Sequence, residues 1–444
     1  MGQVNLSSQP AEYLASVDAQ AWPGIASVPR PTGGALRARV AEAQFASAAA
    51  KAGLALEGVK TDLAVNRAET FVRIAAGGWI GLAEAYLAGE WQTASSADLV
   101  RVLRGLISVK YRPKTLHLPP SGAPLRADQP PALVTHYSGD GLSPFQGHFA
   151  TGVPTTQRSV VKSWVRGAGR GGEPARHFVD ETEIGPPLDA GRGDLADAQA
   201  RSARMLLDAA GVAANSHVLV QPAAGGALAV AAAKRGATVD CVAADEDARR
   251  ALHETLVFAG VADAVHVQTE GALAGANATP AQPRAGYDAV LSAEHLETLA
   301  PRHKAAYLRE LEDSLAPGGK VAVQTVIATE ALNPAGKAAL ESVRAYIWPG
   351  LSYAMPAELH KLADRHSGLR MVAVTRAPQH LAQSLSLQRS TFDTNLRDAA
   401  ADGFDAVYRR LWTWQLALRQ ALAELGMLDL AQVTLTRRHR GGRR

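Results

Sequence analysis

Residues Val218 to Val230 read VLVQPAAGGALAV, which is an apolar strand, a turn of Gly and Ala, and the start of a helix. A turn of this kind sets backbone N–H groups and a helix N-terminus against a nucleotide-type cofactor, and Gly lets the backbone come close to it. Here Gln221, Pro222, Ala223 and Ala224 precede Gly225 and Gly226, and the strand ends on Val220. Pro222 offers no donor and fixes its own backbone angle. The segment keeps the outline of a cofactor loop while its polar chemistry is reduced. Asp245, Glu246 and Asp247 open a later helix, where carboxylates complement the dipole; a ribose contact from Asp245 is the functional alternative. The histidines, His303, His360 and His366 among them, show no His-x-x-x-His pairing, so no metal site is expected. Cys241 is the single cysteine, which excludes an internal disulfide or a thiolate zinc cluster and fits a reducing compartment. It sits beside Val239 and Val242 and reads as a small core residue.

These residues need elements to hold them. From Leu195 the pattern is regular: the amphipathic helix LADAQARSARMLLDAAGV, strand HVLV, helix ALAVAAAKRG, strand TVDCVAA, helix DEDARRALHETLVFAG, and strands VHVQ and YDAVLSA. A helix from Pro301 to Leu315 then leads through Pro317-Gly318-Gly319 into strand KVAVQTVI. Strands alternating with helices predict an α/β, parallel, doubly wound sheet with ligands at the strand C-terminal ends. A chain of 444 residues exceeds one typical core, so two domains are expected. Residues 1–35 are rich in Pro, Ser and Gly and read as an irregular arm, and 36–109 as a smaller, mainly helical domain, with strands an option around Leu54 to Val65. Residues 110–193 read as a Pro-rich basic linker followed by a Gly-rich segment with too few apolar runs for a domain. The sheet domain with its C-terminal cap helices takes 194–436, and 437–444 form a basic tail. No window has the composition of a signal peptide or a spanning helix, so a cytoplasmic protein is expected.

Taken together, these segments resemble the cyclopropane-fatty-acyl-phospholipid synthase family, which includes mycolic-acid-type and acyl-methylating relatives. The likeness is carried by GLAEAYLAGEWQTASSADLVRVL (Gly81 to Leu103), by the helix from Leu195, by YDAVLSAEHLETL, by RAYIWPGLSYAMPAELHKLADRHSGLRMVAV and by GFDAVYRRLWTWQLAL. It implies a Rossmann-like methyltransferase sheet and S-adenosylmethionine as cofactor, with transfer of one carbon to an acyl-chain double bond. A carbocation then loses a proton to a base associated with bicarbonate. Such chemistry needs an apolar tunnel and a water-poor site. The resemblance implies that His136, Tyr137, Gln199, Gly226 and Glu270 lie at the cofactor, beside Gly225 and Asp245 from the turn and the helix start, and that Glu297 is the acid that helps hold bicarbonate.

The replacements are as informative as the matches. The strand-end acid of the family is Val220, and its leading turn glycines are Pro222 and Ala224. After His136-Tyr137 the family's Asp and Asn are Ser138 and Gly141, and its Thr-Tyr-Ser-Cys stretch is replaced by Thr155-Thr156-Gln157-Arg158-Ser159. His380-Leu381 stands where a His-Tyr or Asp-Tyr pair supplies a tyrosine, and Ala423-Glu424 where the family has Phe-Arg. The expectation is lost or strongly altered methyl transfer in a lipid-binding or partner subunit. The alternative is an active S-adenosylmethionine-dependent acyl methyltransferase, with Asp140, Asp180, Glu181 or Glu183 replacing a missing acid. Expected partners are phospholipid acyl chains, an anionic membrane surface at the inner membrane face, and either a second copy or an active homologous methyltransferase; nucleic acid is not expected. The tail residues Arg438, Arg440, Arg443 and Arg444 would supply the electrostatic attraction. Trp348, Trp412 and Trp414 read as core or interface residues, with lining of an acyl tunnel as the functional option.

Overall fold

The computed structural model describes residues 12–30, 33–56, 61–115, 130–170, 173–223, 225–269 and 286–438. It divides into two compact units. The first comprises Met1–Leu125, Asn333–Pro349 and Leu396–Leu422, so two stretches from the second half of the chain join the N-terminal segment. Among its described residues, a small ladder pairs β1 (Ala64–Val65) with β2 (Trp91–Gln92) in antiparallel fashion. Helices make up most of the rest. In the helix Ser96–Ser108 the Ser95 side chain caps the N-terminus by accepting from the Asp98 N–H. That helix buries Leu99, Val102, Leu103 and Leu106, spaced at three and four residues. Trp414 packs edge-on to Trp91 and donates its indole N–H to the Ser342 hydroxyl at 2.9 Å, which makes it core rather than tunnel lining. Trp348 and Trp412 are buried in contact with each other.

The second unit, Arg126–Leu332, Gly350–Asn395 and Ala423–Arg444, is built on a nine-stranded sheet. Its strands are β3 (Thr155–Lys162), β4 (Arg176–Glu183), β5 (His217–Val220), β6 (Thr238–Ala243), β7 (Val265–Thr269), β8 (Tyr287–Ala293), β9 (Leu315–Ala328), β10 (Leu369–Arg376) and β11 (Leu428–Arg437). The spatial order is β3-β4-β10-β11-β9-β8-β5-β6-β7. From β9 to β7 all pairs are parallel, and β11 enters antiparallel to both β9 and β10. The doubly wound α/β sheet expected from Leu195 onward is therefore present.

Period-two alternation explains why both faces are covered. Val218, Val220, Val239, Cys241, Ala289 and Leu291 face one core, shared with the helices Leu195–Ala210 and Ala227–Lys234. Leu219, Val242, Val290, Val321 and Val323 face the other, shared with the helices Pro301–Ser314 and Pro356–His366. Two features depart from the sequence pattern. The Gly-rich segment supplies the hairpin β3–β4, whose antiparallel ladder runs from Thr155↔Glu183 to Lys162↔Arg176 and extends the sheet beyond β10. It escapes hydrophobic periodicity because β3 is a largely exposed edge strand. In β9, Leu315 pairs with Tyr287 and Lys320 with Ala289, so Pro317-Gly318-Gly319 bulges out of the ladder instead of preceding the strand.

Candidate cofactor site

The turn after β5 lies where a doubly wound sheet places its ligand, at the strand C-terminal ends. The polar groups of Gln221 and Ala223 are engaged within the protein. The Gln221 N–H donates to the Leu291 carbonyl at 3.0 Å, and the Ala223 N–H to the Val242 carbonyl at 2.9 Å. The Gln221 carbonyl accepts from the Tyr307 hydroxyl at 2.7 Å, and the Gln221 amide donates to Glu310. Pro222 has no N–H to offer. Gly225, at φ 72°, is the point of closest approach, and what approaches it is the chain itself. A Cβ there would stand 1.9 Å from the Leu142 carbonyl oxygen and 2.7 Å from Pro144. Gly226, at φ 84°, opens the helix Ala227–Lys234 and packs on Leu252.

The segment that occupies this space is held by Gln199, fully buried on the helix Leu195–Ala210. Its Oε1 accepts from the Gly139 N–H at 2.9 Å and the Ser138 hydroxyl at 3.3 Å, and its Nε2 donates to the carbonyls of Ser143 at 2.8 Å and Phe145 at 3.0 Å. Asp140 closes the loop from within. It accepts from the N–H groups of Leu142 and Ser143, each at 2.8 Å, and from the hydroxyls of Ser138 and Ser143, each at 2.7 Å. His136 and Tyr137 end the helix Pro131–Tyr137 and are buried. The His136 carbonyl accepts from the Asn395 amide, and the Tyr137 hydroxyl donates to the Pro144 carbonyl at 3.4 Å.

At the end of β8, Glu294 adopts φ 51°, and this left-handed turn folds the chain back onto β9. The Glu294 carboxylate accepts from the Gln146 N–H at 2.6 Å and from the Gln324 amide at 3.2 Å. Glu297 follows on a short 3-10 turn and is buried. It accepts from the Thr325 hydroxyl at 2.7 Å and the Val326 N–H at 3.1 Å. Burial, reinforced by the neighbouring Glu294 charge, pushes its carboxyl up to about 7. Burial likewise holds the His295 imidazole down to about 4, beside the Tyr307 ring.

Of the remaining expected residues, Asp245 is the N-cap of the helix Glu246–Phe258 and accepts from the Ala248 N–H at 2.8 Å. Glu270 lies outside the described residues. Asp180 pairs with Arg158 across the exposed hairpin, and Glu183 lies 3.8 Å from Arg376, so neither reaches the turn's partners. His380 is fixed as the Nε2–H tautomer by accepting from the Phe149 N–H at Nδ1 and donating to the Gly185 carbonyl. A buried polar group formed by Gln146, Ser202, Gln324 and Gln432 lies next to Glu294. Ser202 donates to the Gln146 carbonyl, and the Gln432 amide donates to Gln324 Oε1, both at 2.9 Å. The only sequence signal for it is a glutamine inside each of two apolar strands, VAVQTVI and LAQVTL.

Residues 189–433 match the family described as mycolic acid cyclopropane synthetase. The tuberculostearic acid methyltransferase UfaA1 of Mycobacterium tuberculosis is 28% identical, over 95% of this chain and 97% of its own length. Among solved structures, the cyclopropane synthase MmaA2 from Mycobacterium tuberculosis shares 17% identity at a TM-score of 0.48, covering 54% of this chain and 85% of that one. The mycolic acid cyclopropane synthase CmaA1, complexed with SAH and CTAB, shares 18% at 0.47 with the same coverage.

Proposed function

The chain belongs to the mycolic acid cyclopropane synthetase family, and from this premise we propose that it acts on the acyl chains of unsaturated phospholipids as a lipid-binding or partner subunit whose methyl transfer is lost or strongly altered. The observation that carries this reading is the contact of Gly225 with Leu142 and Pro144, in the space a cofactor would need. The turn as it stands does not fit S-adenosylmethionine. Val220 stands where a strand-end carboxylate would be needed, Pro222 removes a donor, and the N–H groups of Gln221 and Ala223 are bonded within the protein. Glu297 has its carboxylate directed to Thr325 and Val326, which supports a positioning role in β9 packing over a bicarbonate ligand.

Association with an anionic membrane belongs to the same proposal. Arg437 closes β11 and bonds to the Glu312 carbonyl, and Arg438 bonds to the Ser367 carbonyl; both keep their charge, and attraction to lipid is assigned to Arg438 together with Arg440, Arg443 and Arg444, the last three outside the described residues. Among the described residues no helix is long and apolar enough to cross a membrane.

The near full-length likeness to UfaA1 favours a second reading, an active methyltransferase of fatty acyl chains with a rearranged site. Expression in a host that lacks such enzymes, followed by lipid mass spectrometry, separates the two. The first reading predicts unchanged acyl chains; a new methyl-branched or cyclopropane species made by this chain alone would establish the second.

A further inference from the structure

In the second unit, β4 and the helix Pro356–His366 bring together three side chains with no part in the cofactor turn. His360 and Asp364 stand one helical turn apart, with His360 Nε2 3.3 Å from Asp364 Oδ2. His177, on β4, sets its ring edge-on to that of His360 with centroids 4.9 Å apart. One ligand atom from each of the three lies within 4.8 Å of the others. Both ring nitrogens of His177 and Oδ1 of Asp364 are buried without a hydrogen-bond partner, while His360 Nε2 lies against Asp364 Oδ2. Buried polar atoms are ordinarily satisfied, and an unpartnered ring nitrogen of His177 and Asp364 Oδ1 beside the His360 imidazole call for an occupant.

We propose that His177, His360 and Asp364 bind a divalent transition-metal ion of the zinc type, which joins the helix Pro356–His366 to β4. Two imidazoles and a carboxylate are the donor set that borderline ions such as Zn²⁺ favour, and an exchangeable water would complete a tetrahedron. Tetrahedral ligands at zinc–nitrogen distances of about 2.0–2.1 Å lie roughly 3.4 Å apart. The candidate ligand atoms lie within 4.8 Å of one another, so side-chain rotation toward a common centre would bring them to that spacing. The carboxylate is held in a suitable orientation, since Asp364 Oδ2 accepts from the Trp164 N–H at 2.7 Å and Oδ1 is left as the ligand. Burial and the nearby Arg370 guanidinium hold the His177 imidazole below its ordinary pKa, so it is in the neutral form that binds metal. Arg370 is itself ion-paired with Glu173. No His-x-x-x-His pattern announces this cluster, because the helical partner of His360 is an aspartate and the third ligand comes from a strand far back in the sequence.

The test uses the full chain, stripped with chelator and titrated with Co²⁺ and then Zn²⁺. The expected result is one Co²⁺ per chain with the intense visible bands of a tetrahedral site, displaced by Zn²⁺ and accompanied by a higher Tm. His177→Ala and His360→Ala should each weaken binding more than about tenfold. His366→Ala, an exposed histidine on the same helix, should leave it unchanged. Should either alanine variant fail to fold, Asp364→Asn, which keeps the side-chain shape, must still abolish the cobalt bands. Absence of those bands in the folded wild-type chain, or bands that persist in His177→Ala or Asp364→Asn, would overturn the proposal.

Discussion

Around Gln199, the bonds of one buried amide to Ser138, Gly139, Ser143 and Phe145 hold the loop 138–145, whose Leu142 and Pro144 lie against the turn at Gly225. Around His177 the opposite holds: three side chains bring one ligand atom each within 4.8 Å of the others, and the ring nitrogens of His177 and Oδ1 of Asp364 are buried without a partner. A site closed by its own chain has its hydrogen bonds complete before any ligand arrives, whereas a site built for a ligand leaves donors or acceptors for it. On the reading proposed above, the turn that carries the outline of a cofactor loop is structural, and the cluster without a sequence motif is the one that binds a ligand.

The largest effect should come from Gln199→Ala, which removes four hydrogen bonds and a buried side chain. A loss of about 4 kcal/mol is expected in urea unfolding. A loss below about 1 kcal/mol would mean that the loop is not held in place and the turn is open. Gly225→Ala should cost about 3 kcal/mol, since the added carbon meets the Leu142 carbonyl at 1.9 Å and the backbone sits at φ 72°. Gly141 has the same φ with open space around it, so Gly141→Ala should cost only about 1 kcal/mol. Equal costs would remove the argument for a filled turn.

Glu297 gives a smaller, pH-dependent effect. Its folded pKa of about 7 lies above the ordinary carboxyl value, so its contribution to stability is complete below about pH 4.5 and is lost as pH rises through 7. The stability of wild type relative to Glu297→Gln should therefore fall by on the order of 2–3 kcal/mol between pH 4.5 and 8. A difference that stays flat across this range would show that Glu297 is ionised throughout, as a bound ion or an open site would allow.

The second half of the fold was legible in the sequence because buried parallel strands are continuous apolar runs separated by amphipathic helices. The hairpin β3–β4 was not, since its exposed edge strand TTQRSVVK has no apolar alternation to detect. For the site, the weakened turn QPAAGG was readable residue by residue. What fills it was not, because Gln199 and Asp140 act through loop geometry that composition does not encode. The role of Asp245 was open in the sequence between capping and ribose contact, and the structure displays the cap. Gln146 reaches Glu294 and Gln324 only through pairings between segments more than a hundred residues apart.

Calorimetric titration of the full chain with S-adenosylmethionine tests the central claim most directly. The account predicts no saturable binding up to about millimolar cofactor, equivalent to less than about 4 kcal/mol of binding free energy. It also predicts no gain in the triple variant Val220→Glu, Pro222→Gly, Ala224→Gly, because Leu142 and Pro144 still occupy the face of Gly225. A dissociation constant in the low micromolar range for the wild-type chain would contradict it.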